Sequence, residues 1–160
     1  MNTRKASDVT FRICFICAIL MAFAVSLPAS GGDVARVKTI AGGASIVRLP
    51  QEIPAGIGER IFTGDRIRTG ADGYLGVTFK DGTLLSLGPD SEIVIDEFLF
   101  SPAEGKLSFV ARILRGAAAC LSGVIAKLSP QSMRFETPEA TIAVRGTKFL
   151  IKVDSPEPKP

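Results

Sequence analysis

Beyond Val34 the chain runs in short stretches where apolar and polar residues take turns at every second position, separated by glycine, proline and aspartate. That period belongs to half-buried β-strands rather than helices. VARVKTI (34–40) and ASIVRL (44–49) read as two strands around the Gly42-Gly43 turn, PQEIPAGIGE (50–59) reads as a loop, and IFTGDRIRTG (61–70) as a short strand between tight bends. The 74–80 run alternates through Leu75, Val77 and Phe79. The 91–100 run alternates through Ile93 and Ile95 up to the Ser101-Pro102 break, and the 106–114 run through Leu107, Phe109, Ala111 and Ile113. The next segment is ambiguous. Leu114, Ala117, Ala118, Leu121, Val124, Ile125 and Leu128 fall at helical spacing, yet Gly116 and Gly123 weaken a continuous helix.

Two places in the pattern fix more than strand identity. Around Asp81-Gly82, a two-residue turn would leave Leu85 and Leu87 on the face opposite Val77. A three-residue loop of Lys80, Asp81 and Gly82 instead pairs Phe79 with Thr83, Val77 with Leu85 and Leu75 with Leu87. Only the second gathers the five larger apolar residues on one face, and it puts Gly82 where a left-handed backbone is wanted. The second place is the 136–153 run, ETPEATIAVRGTKFLIKV, where the alternation changes phase. Ala140, Ile142 and Val144 share one parity; Phe149 and Ile151 share the other. A single strand accommodates both sets only with an inserted residue, so the expectation is a bulged strand with Arg145 at the bend and Gly146 supplying backbone freedom.

GDRIRTG (64–70), DGTLLSL (81–87) and TPEATIAVRGT (137–147), in that order, closely resemble the FecR domain family over roughly residues 58–153. The resemblance implies an all-β extracytoplasmic domain, typically the outer part of a membrane-spanning regulator that relays a signal to a sigma factor, with no catalytic activity and no cofactor. It also favours a strand over 117–121 and at most a short helix before Pro130. The expected fold is therefore one compact all-β domain of short, mostly antiparallel strands, a β-roll or distorted sandwich, over residues 31–153. The tail, residues 154–160, carries too many prolines and charges to pack and is expected to be disordered.

The first thirty residues change the picture of where such a domain acts. Arg4, Lys5 and Arg12 precede the unbroken apolar run 13–25, which is followed by SLPASGG, the order of a secretory signal peptide. Cleavage is expected near residues 24–30, giving a periplasmic or secreted protein without a permanent membrane span; an uncleaved, anchored form is the alternative. Neither Cys14 nor Cys17 follows the small residue a lipoprotein box needs, so no lipid is expected, and Cys120 then remains alone, a small buried hydrophobe with an intermolecular disulfide as the alternative. Only about a dozen residues precede the apolar run, so no cytoplasmic sigma-binding domain is expected ahead of it.

The formal net charge is +3, of which Arg4, Lys5, Arg12 and Asp8 in the leader carry +2, leaving +1. Lysines and arginines are dispersed among acids and tryptophan is absent, which argues against nucleic acid as a partner. The chain holds no histidine, removing the usual general base, metal ligand and nucleophile partner. No metal site and no catalytic residue is expected. Asp65, Thr69, Gly70, Asp81, Gly82, Thr137, Pro138 and Gly146 read as structural motif residues, and Tyr74 and the phenylalanines as core. Arg145 stands at the phase change with two readings. Either it pairs with Asp65 or Asp81 and locks the bend, or Arg145 and Thr147 form a surface for an acidic or glycan ligand. The functional expectation is an exported binding module acting through an envelope protein partner, with a structural or glycan-associated envelope component as the alternative.

Overall fold

Twelve β-strands, one short α-helix and two 3-10 turns form the regular structure of the described residues, 32–144 and 148–154, in the computed structural model. The chain divides into a unit of Met1–Ser30 and a second of Gly31–Pro160, and every described residue lies in the second. The expected leader and the tail after Asp154 lie outside the described residues.

The strands are β1 (Ala35–Ala41), β2 (Ala44–Arg48), β3 (Gln51–Pro54), β4 (Arg60–Ile61), β5 (Arg66–Thr69) and β6 (Tyr74–Phe79). They continue as β7 (Leu84–Leu87), β8 (Glu92–Ser101), β9 (Lys106–Leu121), β10 (Met133–Glu136), β11 (Thr141–Ala143) and β12 (Lys148–Val153), with helix α1 (Val124–Leu128) between β9 and β10. All pair antiparallel except β10 on β9. The main path runs β3-β2-β5-β8-β9-β7-β6-β1-β4, and β10 and β12 join the second flank of β9.

The sixteen residues of β9 organise this arrangement. Its first part pairs with β8 on one flank and β10 on the other; its last part pairs with β7 and β12. Gly116 sits between the two parts at φ +83°, and a Cβ there would meet the Ser91 Cα at 2.5 Å. Only glycine fits that bend. The sheet thus folds about β9, and apolar faces from both halves meet in one core. Val77, Phe79, Leu85, Leu87 and Cys120 come from one side, Ile46, Ile67, Ile93, Phe109, Ile113 and Phe135 from the other. Phe98, Phe79, Phe109, Phe135 and Phe149 link across this core at ring separations of 4.8–5.8 Å. Edge-to-face contacts of that kind add to the burial of the rings themselves.

The fold is the all-β roll the alternation implied, and the β6–β7 hairpin has the expected register. Leu75 faces Leu87, Val77 faces Leu85, and Phe79 N donates to Thr83 O, with Gly82 at φ +83°. The ambiguous stretch resolves as β9 continuing to Leu121 and the short helix α1 before Pro130.

Three expectations are corrected. The 50–59 loop contains β3, paired with β2 from Arg48↔Gln51 to Ser45↔Pro54. It is an edge strand with little apolar content, so its period is faint. Tyr74 is not core: it opens β6 on the outer face at 55% exposure. The 136–153 run is not one strand, because a turn at 137–140 precedes β11; the expected bulge at Arg145 and Gly146 lies outside the described residues. β10 ends at Glu136, the chain turns, β11 returns against β10, and β12 pairs with β9. Arg145, Gly146 and Thr147, between β11 and β12, lie outside the described residues.

Candidate functional site

The motif residues that can be followed are spent on holding turns. In GDRIRTG, Gly64 takes φ +90° and Asp65 N closes the turn onto Phe62 O at 3.1 Å. The Asp65 carboxylate, 1% exposed, accepts from Phe62 N at 2.9 Å and from Arg48 Nε and Nη2 at 2.8 and 2.7 Å. That two-pronged geometry is the strongest form of an arginine–carboxylate contact. Arg48 also donates to Arg60 O at 3.0 Å and lies 4.4 Å above the Phe62 ring. Its hydrogen bond to Asp65 outweighs burial and raises its already high pKa further.

Thr69, at the other end of β5, is buried. Its hydroxyl donates to Gly88 O at 2.6 Å and accepts from Ser91 N at 2.9 Å, while Gly70 N donates to Gly43 O and Gly70 O accepts from Asp90 N. Ser91 Oγ continues the network to Ala117 N, beside the β9 bend.

Asp81 is 2% exposed, and no cation neutralises it among the described residues. Thr83 N donates to it at 3.0 Å, Thr83 Oγ1 at 2.8 Å and Ile125 N at 3.3 Å; Thr83 Oγ1 accepts in turn from Gly123 N. The hairpin is thereby fastened to the start of α1. Burial, helped by the nearby Asp81 charge, pushes the Cys120 thiol up to about 12, so it stays protonated and unreactive at neutral pH.

Thr137 closes the β10–β11 turn: its hydroxyl oxygen accepts from Ala140 N at 3.0 Å, and Pro138 is exposed at the tip. Asp65 and Thr69 thus stand at opposite ends of β5, and Asp81 belongs to a separate network. The structure does not gather them into one site. Asp65, proposed as a partner for Arg145, is held by Arg48, which the sequence reading missed, and Asp81 is held by neutral donors.

The outer face of β5, β8 and β9 carries one charged cluster. Glu92 accepts from Arg66 Nη1 at 2.8 Å and Arg115 Nε at 3.3 Å, and Arg68 Nε lies 3.5 Å away. Burial alone would raise the Glu92 carboxyl, but the guanidiniums of Arg68, Arg115 and Arg66 outweigh it and hold it below its usual range. Among the described residues no group of three metal-ligating side chains converges.

β12 is one of the sheet's open edges, with β3, β4 and β11 among the described residues. The six residues of β12 bond to β9 along one flank, and among the described residues no strand pairs with the other. Beside it lies a groove of about 450 Å³, walled by Ile142, Ala143 and Val144 and by residues 148–152 of β12. Phe149 and Ile151 turn inward, Phe149 meeting Phe135 edge to face at 5.2 Å, while Leu150 stands 70% exposed. The period of β12 was legible in the sequence; its position at an edge was not.

Glycine-aspartate and aspartate-glycine-threonine turns, each locked by a buried carboxylate, fasten this all-β scaffold. Residues 65–159 match the FecR protein family, and the chain belongs to it. FecR proteins are a signalling and regulatory family. The match begins at Asp65, so β1 to β4 precede it although β2 supplies Arg48 to its first motif. No curated protein and no solved structure matches the chain.

Proposed function

We propose that this protein is a non-catalytic, exported interaction module in envelope signalling or transport-linked regulation, and that a protein partner docks on it as an extended segment along β12. The observation that carries this reading is the flank of β12 left unpaired among the described residues, beside a groove that Ile142, Val144, Phe149 and Leu150 line together with Lys148 and Lys152. A strand edge offers a row of unused N–H and C=O groups, and an incoming strand satisfies them while its alternate side chains enter the groove. The signal-like order of residues 1–30 supports export. The glycan-associated alternative has less support, since Tyr74 is the one strongly exposed aromatic ring among the described residues.

Site-specific photo-crosslinking in intact cells tests the proposal. A crosslinker in place of Leu150 should capture an envelope protein that the same group in place of Leu49, itself 88% exposed, does not. Identical products from both positions, or recovery of the protein with its intact leader in the cytoplasm, would sink it.

A further inference from the structure

Resting on that reading of β12, we infer the chemistry of the partner segment: it is heterologous, extended and acidic, with carboxylates four residues apart on either side of an apolar stretch. The outward row of β12 is Lys148, Leu150 and Lys152, all exposed. On the β9 side these residues face Leu121, Ala119 and Ala117, so β9 supplies no acid to neutralise them. Lys148 has no acidic ion-pair partner among the described residues. Lys152 Nζ lies 2.9 Å from Asp154, both strongly exposed, an arrangement that holds weakly and is readily exchanged. Glu139 and Asp154 line a pocket of about 310 Å³ beside Lys152, which makes the Lys148 end the less compensated one.

An antiparallel strand centred on Leu150 sets one of its residues directly opposite Lys148 and another directly opposite Lys152. Cross-strand neighbours sit about 5 Å apart at Cβ, close enough for opposite charges to attract and like charges to repel. Two copies of this chain joined edge to edge in that register would place Lys148 of each against Lys152 of the other, twice. The same lysines that disfavour self-pairing favour a strand bearing glutamate or aspartate at those positions. Between the carboxylates, the partner's inward side chains fall beside Phe149 and Ile151 and are apolar for that reason.

Fluorescence anisotropy with two labelled synthetic peptides tests this: Ser-Glu-Ile-Val-Ile-Glu-Ser, and its counterpart with lysine for glutamate. At low salt the acidic peptide should bind roughly tenfold more tightly or better, from two cross-strand charge pairs. The preference should shrink as salt rises and reverse in Lys148→Glu/Lys152→Glu, whose exposed sites leave the fold intact by circular dichroism. Equal binding of both peptides would leave edge docking standing and overturn the charge rule. Failure of both to bind folded protein would overturn the docking reading as well. Acidic-peptide binding unchanged in the double variant would move the site elsewhere, the Arg66, Arg68 and Arg115 cluster first. A concentration-dependent dimer in sedimentation, lost in Leu150→Pro, would assign the edge to a second copy and overturn the inference.

Discussion

Arg48 and Asp65 should be strongly coupled, although seventeen positions separate them and one is only partly buried. Asp65 is 1% exposed and accepts three hydrogen bonds, two of them from Arg48, whose side chain is 38% exposed. In Arg48→Ala the carboxylate keeps Phe62 N alone as a donor. Breaking a fully buried pair costs about 3–5 kcal/mol, but solvent already reaches the guanidinium, so the expected loss is about 2–3 kcal/mol. Asp65→Ala should cost a similar amount, on the order of 2–3 kcal/mol, because it strands Phe62 N and leaves Arg48 poised over the Phe62 ring without its counter-charge. The double variant should lose much less than the sum, with a coupling of about 1.5–2.5 kcal/mol. Arg48→Lys keeps the charge but loses the two-pronged geometry and the ring contact, and should fall between wild type and alanine. Urea denaturation followed by circular dichroism supplies all four stabilities. The exposed Arg112–Asp96 pair is the internal comparison, with an expected coupling below about 1 kcal/mol. Additivity within about 0.5 kcal/mol at Arg48 and Asp65 would refute the claim that this pair holds the turn.

Two further outcomes follow from the geometry. Gly123→Ala should destabilise by about 1–3 kcal/mol, because a Cβ there would lie 2.4 Å from Asp81 O and 2.5 Å from Thr83 N, whereas Gly56→Ala, with nothing within 4 Å, should shift stability by no more than about 0.5 kcal/mol; matching melting temperatures would discard the packing argument. Glu92 is held below its usual 4.5, so its share of stability is present above that value and is lost as pH falls through the lower folded value; denaturation from about pH 5 to about pH 3 should show a shallower decline in Glu92→Gln than in wild type, and parallel profiles would deny the arginine cluster that role.

Much of the fold was legible because strand period and turn chemistry are local. Leu75, Val77 and Phe79 against Leu85 and Leu87 admit one satisfactory hairpin, and the structure has it. Choice of neighbour is not local. Alternation tells which way Ile142 or Ile151 points, but not that β11 returns to β10 while β12 crosses to β9. β3 was missed because Gln51 and Glu52 give an exposed edge strand no apolar signature. The partner of Asp65 was invisible for a related reason: the β2–β5 register that brings Arg48 within reach is written in Ile46 and Ile67, both fully buried, and not in either charged residue. Nothing in the motif spacing reveals that Asp65, Thr69 and Asp81 lie in separate hydrogen-bond networks. The open flank of β12 is a property of topology alone.

The double flank of β9 has a consequence for how the chain must be made. Synthesis proceeds from the N-terminus, so β7 and β8 exist to cover one side of β9 as soon as it forms, whereas β10 and β12 arrive only with the last strands. Until then Val110, Ala111 and the residues from Ala117 to Leu121 border an uncovered row of backbone groups long enough to recruit another chain. A nascent or proteolysed form ending before Met133 lacks Met133, Phe135, Val144 and Ile151 of the core and leaves one flank of β9 unguarded. The C-terminal strands thus both complete the core and cover the flank of β9 that would otherwise recruit another chain.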